Sequence, residues 1–133
     1  MKVYKFGGAS VRNADGVRNL RKIIDDEQNL FIIVSAMGKT TNALEKVFEG
    51  LQKGDKQLSL EHVESLRKYH AEIIAELWHE PKRLPAVDAL FGELEKVATE
   101  TVYKPGDAEL WYDTIVAYGE LVSTTIISEY LNY

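Results

Sequence analysis

The chain opens with two short apolar segments separated by an amphipathic stretch. Val3, Tyr4 and Phe6 lie within an extended segment from Lys2 to Phe6, and Leu30-Phe31-Ile32-Ile33-Val34 is an unbroken apolar run. Between them Val17, Leu20 and Ile24 recur at helical spacing, which predicts a helix from about Ala14 to Glu27 with Asn13 as its N-cap. A second helix is expected from about Asn42. The order is βαβα, and strands this apolar joined through a helix belong to a parallel sheet covered on both faces, with a right-handed crossover. Ligands of such sheets sit at the carboxyl ends of the strands. The loops at Gly7-Gly8 and at Ser35 to Thr41 both fall there, so they are expected to be neighbours.

From Asn42 onward the pattern is helical. Leu44, Val47, Phe48 and Leu51 share one face, Asn42 with Glu45 has capping-box spacing, and Gly54 can close the helix. Ser59 is the expected cap of the next helix, whose stripe is Val63, Leu66, His70, Ile73 and Leu77, ending before Pro81. Val87, Leu90, Phe91, Leu94 and Val97 mark a further helix that stops by Pro105-Gly106. A last one from about Asp107 carries Trp111, Ile115, Tyr118, Val122, Ile126 and Tyr130. Two strands leave open sheet edges, to be covered by further sequence, by another chain or by the helical half.

Composition narrows the function classes. With 133 residues, 45% hydrophobic and 28% charged, one globular domain with a real core is expected. A net charge of -5 argues against a nucleic-acid partner, which calls for a basic face. The chain has no cysteine, so disulfides and thiolate chemistry are excluded. The run at Leu30 to Val34 is far short of the roughly 20 residues of a membrane helix, so no membrane partner is expected. No leader pattern precedes the first strand, and a cytoplasmic location is the default expectation. His62, His70 and His79 lack metal-ligand spacing, and no metal site is expected.

The candidate chemistry sits in the two loops. Lys5-Phe6-Gly7-Gly8-Ala9-Ser10-Val11 reads as a phosphate-binding turn: glycines let backbone N–H groups approach a bulky anion, Lys5 adds positive charge, and a helix N-terminus follows. It is no dinucleotide fingerprint, because the next glycine after Gly8 is Gly16. Ser35-Ala36-Met37-Gly38-Lys39-Thr40-Thr41-Asn42 is a second anion-friendly turn. It is no Walker A loop, since Ile33 stands where that motif needs glycine. Two such loops at one sheet edge suit phosphoryl transfer, in which positioned cations and N–H donors stabilise charge on the equatorial oxygens.

KFGGASV after the first strand, IVSAMGKTTN after the second and YGELVST in the last helix resemble, in the same order, the aspartate kinase family. The resemblance implies an α/β amino-acid kinase (carbamate kinase-like) fold, a three-layer αβα sandwich of which residues 1–133 are an incomplete, helix-rich N-terminal portion. It implies transfer of the γ-phosphoryl of ATP to the β-carboxylate of L-aspartate, giving 4-phospho-L-aspartate for amino-acid biosynthesis, with Mg2+ arriving alongside ATP and no tightly bound cofactor. By motif, Lys5 is the catalytic lysine that neutralises the transferring phosphoryl group. Phe6, Gly7, Gly8 and Ser10 belong with it to the phosphate loop; Ser35 and Thr41 hold aspartate and phosphate; Glu120 pairs with the substrate α-amino group. Ala9 stands where the family usually has threonine. The family's kinase domain extends further, so little turnover is expected of these residues alone, and the full-length family implies a homo-oligomer. Two alternatives are a related kinase acting on glutamate or a nucleotide, and a noncatalytic binding or assembly module of the same fold.

Overall fold

A computed structural model describes residues 1–132. Strand β1 (Lys2–Phe6) is followed by helix α1 (Ala14–Ile24), strand β2 (Leu30–Val34), and helices α2 (Thr40–Lys53), α3 (Lys56–Trp78), α4 (Pro85–Glu100) and α5 (Ala108–Leu131), with a single 3-10 turn at Pro105–Asp107 before α5. The strands pair in parallel, Val3 opposite Phe31 and Lys5 opposite Ile33. The Ser35 amide extends the ladder by donating to the Phe6 carbonyl at 2.9 Å.

The expectation of a sheet covered on both faces fails for the described residues. Side chains alternate across a strand, so Tyr4, Phe6, Ile32 and Val34 share one face, and Val3, Lys5, Phe31 and Ile33 share the other. Phe6, Ile32 and Val34 join the core, and Ile32 and Val34 face Thr124 and Ile127 of α5 across a cavity. On the opposite face Val3 is 57% exposed and Phe31 55%. All the helices pack to one side, because their stripes are complementary to one another and to that single sheet face.

Helix ends follow local chemistry. Asn13 caps α1, its side-chain oxygen accepting from the Gly16 amide at 2.9 Å. The helix stops at Ile24, short of the expected Glu27. Asp25, Asp26 and Glu27 would put three negative charges at the negative end of the helix dipole, and Asn29 takes a left-handed turn with φ of 54°. The second helix starts at Thr40, so Asn42 lies inside its first turn and the expected capping box with Glu45 is not formed. Gly54 closes it at φ 70°, donating to the Gly50 and Leu51 carbonyls. Ser59 does not cap α3. Asp55 does, accepting from the Leu58 amide at 3.1 Å. Ser59 is fully buried and donates to the Val47 carbonyl at 2.8 Å, tying α3 to α2. Pro85 occupies the first position of α4, where its fixed φ suits the helix and its missing N–H costs nothing.

The core forms around α2, which packs against both α3 and α5, while α4 bridges the latter two. Leu20, Met37, Leu44, Leu94, Ile115 and Ile126 are almost completely buried. Each such side chain stabilises the fold by about 1.5–3 kcal/mol relative to exposure. Arg21 stacks over Tyr130 at 5.0 Å from the ring centre, joining α1 to α5. His70 is the one buried imidazole among the described residues. Its Nδ1 donates to the Leu66 carbonyl at 2.7 Å, so its Nε2, 3.5 Å from the Thr40 hydroxyl, carries the lone pair. Burial pushes its pKa down from 6.5.

Two outcomes follow for stability. A Cβ on Gly50 would stand 2.2 Å from Ser59 Oγ and 2.8 Å from the Asp55 carbonyl. Gly50→Ala therefore forces α2 and α3 apart and is expected to cost about 1–3 kcal/mol in urea unfolding; an unchanged midpoint would contradict the packing described. For His70, a folded pKa below the unfolded one means the unfolded chain binds the extra proton first. Its contribution is complete above pH 6.5 and is lost as pH falls through the lowered folded value. The melting temperature should drop as pH falls from 6.5 toward that lowered value, and drop less steeply in His70→Gln.

Candidate active site

The first loop is a tight turn. The Ser10 and Val11 amides both donate to the Gly7 carbonyl, at 3.0 and 3.2 Å, and Val11 is fully buried, anchoring the loop to the core. Nothing stands within 4 Å of a Cβ built on Gly7, so the turn opens to solvent on that side. Gly8 is the opposite case: a Cβ there would lie 3.2 Å from the Ala36 carbonyl and 3.6 Å from that of Gly38. The two loops are in van der Waals contact, as their placement at one sheet edge predicts. Gly16 completes the seat, because a Cβ would meet the Ser10 carbonyl at 2.3 Å where α1 passes over the loop.

The second loop is held from two sides. From α5, Ser123 is buried and donates to the Ser35 carbonyl at 2.6 Å. Four residues earlier, Gly119 lets the same helix lie against Ala36, Leu44 and Thr40; a Cβ would come within 2.8 Å of the Ala36 methyl. From α3, Tyr69 stands against Gly38 while its hydroxyl donates to the Arg12 carbonyl at the exit of the first loop, and burial pushes its pKa up. Gly38, at φ +54°, leaves room for that hydroxyl, which would stand 2.4 Å from a Cβ. The Thr40 hydroxyl closes the loop internally, donating to the Met37 carbonyl at 2.5 Å.

Electrostatically the pair of loops is positive. Lys5 is exposed on the open face of the sheet, and no hydrogen bond or ion pair engages its ammonium among the described residues. Helix α2 has no side-chain cap and no acidic residue in its first turn, so its positive end faces out beside the loops.

The expected residues fall as follows. Gly8 touches the loop that contains Ser35, and Ser35 is fixed to α5. Phe6 is half-buried and packs edge-on against Tyr4 at 6.3 Å. Gly7, Ser10 and Lys5 are exposed at the sheet edge, Thr41 is half-buried in the first turn of α2, and Glu120 is exposed on α5 directly after Gly119. No hydrogen bond or ion pair links Lys5, Ser10, Thr41 or Glu120 to one another among the described residues. No group of three His, Asp or Glu suited to a metal ion occurs among them either. Sequence reasoning missed Tyr69 and the contact role of Gly38. The small residues Gly119 and Ser123, one turn apart in an otherwise bulky stripe, were the signal that α5 approaches another backbone closely.

Comparison with known proteins bears on the family and the fold. The family model described as the Amino acid kinase family matches residues 1–133. The chain is 30% identical over 140 residues to Aspartokinase 1, chloroplastic, of Arabidopsis thaliana, an alignment covering 98% of this chain and 23% of that protein. To the Aspartokinase of Chlamydia trachomatis it is 34% identical over 130 residues, covering 96% of this chain and 27% of that protein. It thus spans about a quarter of the length of these relatives. Among solved structures, E. coli aspartokinase III in complex with aspartate and ADP superposes with a TM-score of 0.76 at 26% identity, covering 99% of this chain and 29% of that one. Clostridium acetobutylicum aspartate kinase gives a TM-score of 0.78 at 22% identity and 29% of its chain, a likeness of fold. With a family model matched from end to end and its two glycine loops meeting at the sheet edge, the chain belongs to the amino acid kinase family.

Proposed function

We infer that this chain is the N-terminal portion of an aspartate kinase catalytic domain, which transfers the γ-phosphoryl of ATP to the β-carboxylate of L-aspartate. The observation that carries the reading is the close approach of Gly8 to the Ala36 and Gly38 carbonyls, with no room for a Cβ between them, which joins the two loops at one sheet edge. The aspartokinase relatives, one of them solved with aspartate and ADP, support it.

Transfer to a carboxylate has modest demands. A β-carboxylate oxygen is already ionised at neutral pH, so it attacks the γ-phosphorus without a general base, the bond to the β-phosphate bridging oxygen breaks, and ADP leaves. The protein must neutralise charge and hold the two reactants in line. In this reading Lys5 meets the γ-phosphoryl oxygens, with N–H groups of the loop containing Gly7, Gly8 and Ser10 around it. The hydroxyls of Ser35 and Thr41, with the uncapped start of α2, hold aspartate and phosphate. Glu120 faces the α-ammonium. Mg2+ comes with the nucleotide, and an acidic, cysteine-free chain suits the cytoplasm. The open sheet face with Val3, Phe31 and Ile33 is covered by the rest of the catalytic domain and the intact enzyme is a homo-oligomer, so these residues alone turn over little.

In an intact kinase carrying this chain, Glu120→Ala should raise the aspartate KM about tenfold or more and leave the ATP KM nearly unchanged, as expected for loss of a charge-assisted hydrogen bond. Lys5→Ala should lower kcat by roughly 100-fold or more. Coupled ADP-release assays with L-aspartate, L-glutamate and a nucleoside monophosphate check both. Preference for glutamate or the nucleotide, or an aspartate KM indifferent to Glu120, would overturn the substrate assignment.

A further inference from the structure

A cavity of about 510 Å3 lies beside the two loops, between α2 and α3. Its size is that of small-ligand sites, about 300–1,000 Å3. Its wall is mainly apolar: Ala43 from α2, with Leu66 and the Tyr69 ring from α3. Arg12 and Lys39 also line it, one from the exit of the first loop and one from the end of the second. Both are exposed, and neither is paired with a carboxylate among the described residues. No lining residue is acidic, on a chain whose net charge is -5.

An apolar floor under two unpaired cations selects for a ligand with the inverse pattern. A phosphate ion alone would leave the floor wet, and an apolar molecule alone would leave the cations unused. A carboxylate on a small aromatic or branched aliphatic body satisfies both, its charge meeting the guanidinium and ammonium while its body covers Leu66, Ala43 and Tyr69. We propose that this cavity, which borders the second loop at Gly38, Lys39 and Thr40, is a binding site for a small organic carboxylate with an apolar body, a proposal that does not depend on the reaction proposed above. The site has a route to the loops. The Tyr69 hydroxyl holds the Arg12 carbonyl, and Gly38 abuts that hydroxyl, so a ligand against Tyr69 touches the frame that spaces the first loop from the second.

The probe is 3-phenylpropanoate, titrated into the 133-residue chain and followed by amide chemical shifts, with acetate as the body-less control and 3-phenylpropan-1-ol as the charge-less one. Saturable shifts are expected for residues 38–43 and 65–69 with 3-phenylpropanoate, and much weaker binding by both controls. Arg12→Ala and Lys39→Ala remove exposed, unpaired side chains and leave the melting temperature unchanged; each should weaken binding about tenfold, the scale of one charge-assisted hydrogen bond. Absence of saturable shifts at millimolar probe, shifts confined to other residues, equal binding by the alcohol, or full affinity in both variants would each overturn the assignment.

Discussion

Three pieces of backbone meet where a side chain would ordinarily stand between them: the first loop at Gly8, the second at Ala36 and Gly38, and α5 at Gly119. A Cβ at either Gly8 or Gly119 would press on the second loop, at 3.2 Å from the Ala36 carbonyl and 2.8 Å from the Ala36 methyl. Packed interiors tolerate such intrusion poorly, because neighbours at solid-like density have nowhere to move. The second loop is therefore clamped between the first loop and the last helix, and the Ser123 bond to the Ser35 carbonyl fixes its height. The site, the central position of α2 and the docking of α5 on β2 all depend on that clamp.

The clamp also explains the electrostatics. Buried backbone groups must find partners, and here Ser35, Met37 and Arg12 satisfy their carbonyls with the side chains of Ser123, Thr40 and Tyr69. These three carbonyls are engaged. What remains outward is positive: the start of α2 without a cap, and Lys5 without an ion pair. An acidic chain thus presents an anion-attracting edge, with Lys5, Arg12 and Lys39 beside the two loops.

Much of this was legible in the residues. Both strands have the bounds that the apolar runs at Lys2–Phe6 and Leu30–Val34 indicate, because nothing competes with β-branched and aromatic residues between turn formers. The helical stripes were equally plain, down to His70 in the core. Caps were less so. Ser59 and Asn42 are chemically able to cap, yet Ser59 is drawn inside by the contact of α2 with α3, and Thr40 extends its helix backward over the Met37 carbonyl. The coverage of the sheet was misread for a different reason: Phe31 and Ile33 are as apolar as Ile32 and Val34, so alternation does not announce an open face. Tyr69 was invisible as a site residue because its partner Arg12 is 57 positions away, and only tertiary packing brings them together.

The central claim is that the two loops act as one anion-binding unit through the Gly8 contact. Titrating the chain with inorganic pyrophosphate while following amide shifts tests this directly. Residues 7–10 and 35–41 should respond together along one saturation curve, and Gly8→Ala should abolish the response of both. Shifts in one loop alone, or two curves with different midpoints, would contradict the account.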